Sequence, residues 1–293
     1  MGALIWLASY PKSGNTWMRS FLHNLLTDAR EPADINELDQ FCVGESGIGW
    51  YQRHTETPLD RLTLEELARI RPLAQADLTR VHPDSVFVKT HNFLGGSFGQ
   101  PLHNMDVTAG AIYIVRNPLD VVLSVTNHFG ITVDEAIAQL ASPTTGTALT
   151  DLHVPEFHSS WSIHVESWTG APNPNLLVLR YEDLLAEPRR YFGRVAKFLG
   201  LRPPEERLAR AIRNSSFKIL KEQEQRKGFK ERSELAQAFF REGRKDQWRE
   251  KLTPEQVRRI IADHHVQMAR FGYIPRDFRD AVPAAHQTKI TRG

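Results

Sequence analysis

Apolar positions along this chain follow two different rhythms. Four short, near-continuous apolar runs, at 4–9, 86–90, 111–115 and 176–179, are rich in Leu, Ile and Val and are bounded by turn residues. Runs of that length read as strands, and their lack of polar alternation fits a parallel sheet covered on both faces. Between them apolar residues recur at helical spacing, which predicts helices over 15–27, 64–76, 118–127, 156–168, 189–199, 204–214 and 254–271. Trp17, Met18, Phe21, Leu22, Leu25 and Leu26 mark the apolar face of the first. Thr253, Pro254 and Gly272 supply an N-cap, a first helical position and a stop for the last. Strands alternating with helices predict an α/β chain, a three-layer α/β/α sandwich with a central parallel sheet. The stretches 31–58, 130–155 and 222–249 lack a clear period and read as irregular, and long loops in such domains often cover a substrate.

Composition narrows the class only modestly. With 293 residues, 41% hydrophobic and a formal net charge of +2, the chain is ordinary globular material long enough for a sizeable core. No Pro/Gly/Ser-rich linker divides it, so a single domain is expected over 1–280, with a flexible tail at 281–293. The near-neutral balance argues against a nucleic-acid partner. The single cysteine, Cys42, cannot form an internal disulfide. No basic leader and no long apolar span is readable, so no stable membrane insertion and a cytoplasmic location are expected. Oligomeric state is not indicated.

The chemistry concentrates at the strand ends. After the first strand comes Tyr10-Pro11-Lys12-Ser13-Gly14-Asn15-Thr16-Trp17. A tight turn into a helix aims backbone N–H groups and the positive helix end at one point, which suits a phosphate. The nucleotide P-loop pattern G-x-x-x-x-G-K-[ST], whose hydroxyl holds Mg²⁺, is absent, since here the lysine precedes one glycine. In Val86-Phe87-Val88-Lys89-Thr90-His91, Lys89 and His91 share a face at the carboxyl end of a strand, where ligands bind in open α/β sheets. Alone, a strand-end histidine is more often a satisfied structural residue. Arg116 ends the third strand, and Ser124 follows on the next helix. An arginine fork with a nearby hydroxyl suits a second phosphate, although taken alone an Arg-carboxylate pair and a Ser bonded to its own helix are the favoured reading. The run Arg241-Glu242-Gly243-Arg244-Lys245 reads alone as a solvated charged face, and His264-His265 as a polar helix face.

Taken in order, these segments resemble the PAPS-dependent sulfotransferases (PAPS is 3′-phosphoadenosine 5′-phosphosulfate; its product PAP is adenosine 3′,5′-bisphosphate). The resemblance runs from Leu4 to about Phe271 and implies a P-loop-like nucleotide-binding fold. Residues 10–17 resemble the family's 5′-phosphosulfate loop, with Asn15 where the family usually has Thr. The resemblance implies a donor site of Lys12, Ser13, Gly14, Asn15, Thr16, Trp17, Arg116, Ser124, Tyr181, Ser216, Phe217, Arg241, Glu242 and Gly243. Trp17 reads equally as an adenine platform or a core aromatic. His91, Lys12 and Lys89 are implied as the catalytic set, His91 as general base and the lysines as stabilisers of the leaving phosphate. Ser13 is expected to hold Lys12 aside until an acceptor arrives. No metal is implied.

Departures occur in the C-terminal loop, where Glu242 stands for a lysine, Asp246 for a second glycine and Arg249 for a later lysine. Glu242 is expected to point away from a phosphate, with Arg244 or Lys245 supplying charge. The short dimer motif is poorly matched at Pro254 and Arg258. The expected activity is in-line sulfuryl transfer from PAPS to a hydroxyl, or less readily an amine, of a small hydrophobic or aromatic acceptor. Trp50, Tyr51, Phe93, Phe98, His128 and Phe129 are candidates for its pocket or for ordinary loop packing. The alternatives are a P-loop-type kinase using ATP and Mg²⁺ and a catalytically silent nucleotide-binding module.

Overall fold

In the computed structural model, which describes residues 2–283, the chain builds one five-stranded parallel sheet. The strands are β1 (Ala3–Ser9), β2 (Cys42–Gly44), β3 (Ser85–Thr90), β4 (Thr108–Val115) and β5 (Leu176–Arg180), in the spatial order β2-β3-β1-β4-β5. The chain lays strands on one side of β1 and then on the other, so β1 sits where the order reverses. Ala8 of β1 pairs with Thr90 of β3 and Tyr113 of β4, and Val115 pairs with Arg180 of β5. The carboxyl ends of four strands therefore line up along one edge, the usual position for a ligand crevice.

Alternation along the strands builds two cores. Leu4, Trp6 and Ala8 pack to one face with Val86, Val88 and Tyr113, beneath α3 (Pro118–Phe129), α4 (Val133–Ala141), α5 (Trp161–Thr169) and α10 (Pro254–Arg270). Leu7, Ile112, Ile114 and Leu179 face the other way, beneath α1 (Asn15–Thr27), α6 (Tyr181–Ala186), α7 (Pro188–Phe198) and α8 (Glu205–Asn214). The remaining longer helices are α2 (Leu64–Leu78) and α9 (Phe217–Lys227). This is the three-layer arrangement expected from the apolar runs.

Several local expectations need correction. The edge strand β2 lies in a stretch read as irregular, because three residues ending in glycine carry no periodic signal. The helix expected from 156 starts only at Trp161, where Ser160 caps it by accepting from Ile163 N. Residues 156–160 run outside that helix instead. Helix α4 sits inside the 130–155 stretch, and its Thr132/Glu135 capping box was the available signal. Helix α9 likewise runs into the 222–249 stretch. His264 is not on a polar face: it is buried, faces Ser162 Oγ at 2.9 Å and packs edge-on to Trp161. At the C-terminus Val282 is buried in the core, and 284–293, most of the segment expected as a tail, lie outside the described residues. No helix among the described residues is long and apolar enough to cross a membrane.

Candidate functional site

The loop after β1 is shaped by its backbone. Lys12 (φ 67°) and Gly14 (φ 111°) both adopt left-handed conformations. A Cβ on Gly14 would also lie 2.8 Å from the Tyr181 ring, so glycine is required there twice over. Helix α1 begins at Asn15 with no side-chain cap and no acidic residue in its first turn, leaving its N–H groups and positive end unopposed. Asn15 donates to the Leu7 carbonyl at 2.8 Å, tying the loop back to β1.

This loop forms the floor of a cavity of about 270 Å³ that brings together most of the expected residues. Lys12, Gly14, Asn15, Thr16, Trp17, Lys89, His91, Arg116, Ser124, Tyr181 and Phe217 all line it. A smaller adjoining pocket shares Arg116, Ser124, Tyr181 and Phe217 and adds Arg241, Glu242 and Gly243. Two expected residues do not line either space. Ser13 is fully buried beneath the loop, and its Oγ has no hydrogen-bond partner. Ser216 occupies the N-cap position of α9, where its side chain makes no capping hydrogen bond. The Lys12 ammonium is not held by Ser13: it lies 3.4 Å from His128 Nδ1 and 3.7 Å above the Phe239 ring. Burial, with Lys89 and Arg116 nearby, pushes its pKa down to about 7.

His91 follows β3, and its Nδ1 meets the Ser9 carbonyl at 2.8 Å. A carbonyl only accepts, so Nδ1 carries the proton and Nε2 keeps a lone pair. The backbone is pinned as well, since the His91 carbonyl accepts from His164 Nε2 at 3.1 Å, and His164 Nδ1 accepts from Tyr113 at 2.9 Å. Burial, then the Lys89 charge, pushes the His91 pKa down to about 3, so the imidazole is neutral at physiological pH.

Arg116 donates to the Lys12 carbonyl at 3.0 Å and stacks 4.5 Å over the Tyr181 ring, while its Nε has no partner. It forms no ion pair with a carboxylate among the described residues. The 241–247 loop is clamped beside it: Asp120 accepts from the backbone N–H groups of Asp246 and Trp248, and Lys221 donates to the Arg241 carbonyl. Gly243 (φ 61°) lies so close to Phe217 that a Cβ would meet its ring at 2.2 Å. Glu242 lines the pocket, but its carboxylate is taken by Lys251 and Arg244. Arg244 is also paired with Glu250, and neither it nor Lys245 lines either space. Trp17 packs edge-on to Tyr181 and Phe192 while reaching the cavity, and its Nε1 has no partner.

Of the expected acceptor aromatics, only His128 and Phe129 reach the cavity. Tyr51 is fully buried and packs with Trp50 in a separate small core, Phe93 lines a groove elsewhere, and Phe98 is exposed. The reading from sequence missed Glu156, His158, Glu231, Phe239 and Phe240. Glu231 binds Arg19 through both oxygens, at 2.8 and 2.6 Å, and Arg19 also contacts Thr16 Oγ1. That links the 228–247 segment to the first turn of α1. Burial raises the Glu231 pKa, but Arg19 outweighs it and holds it down at about 2.

Comparison with known proteins identifies the family and the fold. The family model described as "Sulfotransferase domain" matches residues 4–272. Rat sulfotransferase 1A1 is 29% identical over 74% of this chain and 66% of its own length. Guinea pig 3-beta-hydroxysteroid sulfotransferase is 29% identical over 58% of this chain and 59% of its own length. The chain thus spans about three fifths to two thirds of these curated relatives, although the dog 1A1 enzyme, 24% identical, is covered over 83% of its length. Among solved structures, retinol dehydratase with androsterone and inactive cofactor PAP superposes with a TM-score of 0.62 at 20% identity, over 90% of this chain and 80% of that one. Mouse SULT7A1 complexed with PAP gives 0.59 at 20% identity, over 92% and 88%.

Proposed function

The chain belongs to the sulfotransferase domain family, and from that premise we propose that it moves a sulfuryl group from PAPS to a hydroxyl of a small acceptor. The observation that carries this reading is a cavity and an adjoining pocket with cationic groups at two places, Lys12 with Lys89 in the first and Arg116 with Arg241 in the second, with Tyr181 and Phe217 lining both. A nucleotide with a phosphate on each side of its nucleoside needs that division. The residues fit it on a second count: Arg116 Nε and Trp17 Nε1 are buried N–H groups still lacking partners.

Bound there, PAPS would supply the sulfuryl group and a phosphate leaving group. The 12–16 turn and the free N–H groups of α1 would hold the 5′ end. Arg116, Ser124 and the 241–243 loop would hold the 3′-phosphate. His91 Nε2 is the base with a free lone pair, and it would take the acceptor proton. Lys12 and Lys89 would face the charge that builds on the leaving oxygen, the kind of placed cation that provides most of the rate gain in such transfers. A kinase reading lacks the Gly-Lys-Ser/Thr element that holds Mg²⁺. A silent binding module gives no reason for Lys12, Lys89 and His91 to share one cavity.

Calorimetric titration with PAP, AMP and ATP-Mg²⁺ tests the reading. PAP is expected to bind most tightly, and a preference for ATP-Mg²⁺ would overturn it. Arg116→Ala should weaken PAP by about 10–100-fold, the worth of one charged hydrogen-bonded contact, and AMP hardly at all. Equal weakening of both would remove Arg116 from the 3′-phosphate site.

The Lys12 pKa adds a prediction with a sign. At pH 8 Lys12 in the free protein is mostly neutral, because its pKa is about 7. A phosphate beside it favours the charged form, so PAP binding at pH 8 should take up about one proton. Uptake should fall toward zero as pH drops below the free-protein value. Binding heats measured in buffers of different ionisation enthalpy read this directly, and no uptake at pH 8 would contradict it.

A further inference from the structure

The wall around His91 is polar where a hydrophobic phenol would want apolar surface. Residues 156–158 lie alongside the chain that follows β3. Phe157 N donates to Asn92 Oδ1 at 2.6 Å, and Phe93 N donates to the Phe157 carbonyl at 2.9 Å. Phe157 turns away beneath the Arg71 guanidinium, while Glu156 and His158, two residues apart, both line the cavity. The His158 ring stands edge-on to His91 with centroids 6.2 Å apart. Its Nε2 lies 3.4 Å from Glu156 Oε2, and Glu156 Oε1 accepts from Ser46 at 3.1 Å.

That leaves Glu156 short of donors. A carboxylate has room for about four hydrogen bonds, and this one has a single good bond and one long contact. Its side chain is 13% exposed, on the cavity wall. Burial raises its pKa, yet the His158 hydrogen bond and the Lys89 charge outweigh that and keep it ionised. An apolar ring pressed against His91 would bury these lone pairs with nothing in return.

We propose that Glu156 and His158 select an acceptor bearing a second hydroxyl beside the one sulfated, a polyol or sugar-like diol rather than a monohydric phenol or alcohol. This rests on the sulfotransferase reading of the same site. One hydroxyl of the pair loses its proton to His91 Nε2, its oxygen bonds to sulfur, and the bond from sulfur to the 5′-phosphate oxygen breaks, leaving PAP. The neighbouring hydroxyl donates to Glu156. A site built to bind a hydroxyl discriminates strongly against an analogue that lacks it.

The test uses matched pairs with PAPS: cis-1,2-cyclohexanediol against cyclohexanol, catechol against phenol, and methyl glucoside as a fully hydroxylated probe. Each diol is expected to exceed its monohydric partner at least about tenfold in kcat/KM. Glu156→Gln should shrink that ratio at least fivefold, mainly through the diol KM. Titration of PAP-loaded protein with the diols should show the same loss of affinity in the variant. Equal rates within a pair, a monohydric preference, no turnover of any diol, or a ratio unchanged by Glu156→Gln would overturn the proposal. PAP binding by the wild type keeps the two readings apart: if PAP fails to bind, the donor assignment fails, and if PAP binds without diol preference, only the acceptor proposal does.

Discussion

His91→Ala is expected to lower turnover by about 10²–10⁴-fold, the range for a general base, while PAP affinity stays within about threefold. The expectation rests on geometry. The Ser9 carbonyl fixes the proton on Nδ1, so Nε2 is the available base in every turnover. The separation from binding follows because His91 lies just after β3, whereas the phosphate turn follows β1 and is held by its own contacts to Leu7 and Arg116. The depressed pKa of about 3 makes the free imidazole a weak base. An anionic donor beside Lys12 and Lys89 would offset the Lys89 charge and move that pKa upward. The acid limb of the rate, measured against acceptor at saturating PAPS, should therefore lie above pH 3. A variant that turns over at the wild-type rate would end the base assignment.

Glu45→Ala is expected to destabilise the protein by about 3–5 kcal/mol, the cost of removing one partner of a buried ion pair. Glu45 and Arg71 are both nearly inaccessible, 1% and 2% exposed. Four donors converge on the carboxylate: Thr90 and Asn92 at 2.5 Å on one oxygen, Gln75 at 2.7 Å and Arg71 at 3.4 Å on the other. Alanine would take the anion from the buried Arg71 guanidinium and the acceptor from Asn92, while Arg71, Gln75 and Thr90 keep their contacts to Pro155, Leu102 and His103. Thr90 and Asn92 flank His91, so this hub also positions the base. Glu45→Gln keeps the shape and one acceptor, and it should cost less stability than alanine while still lowering kcat. Urea unfolding midpoints measure the first effect and steady-state kinetics the second. A loss below about 1 kcal/mol for alanine would show that the cluster relaxes without its anion.

The chain of β1, the turn and α1 was legible because every signal in it is local. An apolar run, a glycine that must adopt positive φ and an apolar stripe at helical spacing all lie within residues 4–26, and the helix appears at Asn15–Thr27 as read. Lys89, His91 and Arg116 were legible for the same reason, since each sits at the end of a strong apolar run. The absence of polar alternation along those runs also determined that the sheet would be covered on both faces.

What only the tertiary structure decided depends on contacts between distant segments. Ser13 fell out of the cavity because the turn buries it, and Ser216, at the start of α9, lines neither space. Glu242 carries no intrinsic sign of its direction; Lys251 and Arg244 turn it aside. Glu156 and His158 were hidden inside a helical period that the fold overrides, because Asn92 and Phe93 capture the Phe157 backbone and Ser160 delays the helix start. Periodicity reports which face of an element is buried, and that much the sequence carries alone. Which charged group meets which partner across more than sixty residues of chain is set by packing, and here packing placed Glu156 and His158 beside His91 in a cavity that His128, Phe129, Phe239 and Phe240 also line.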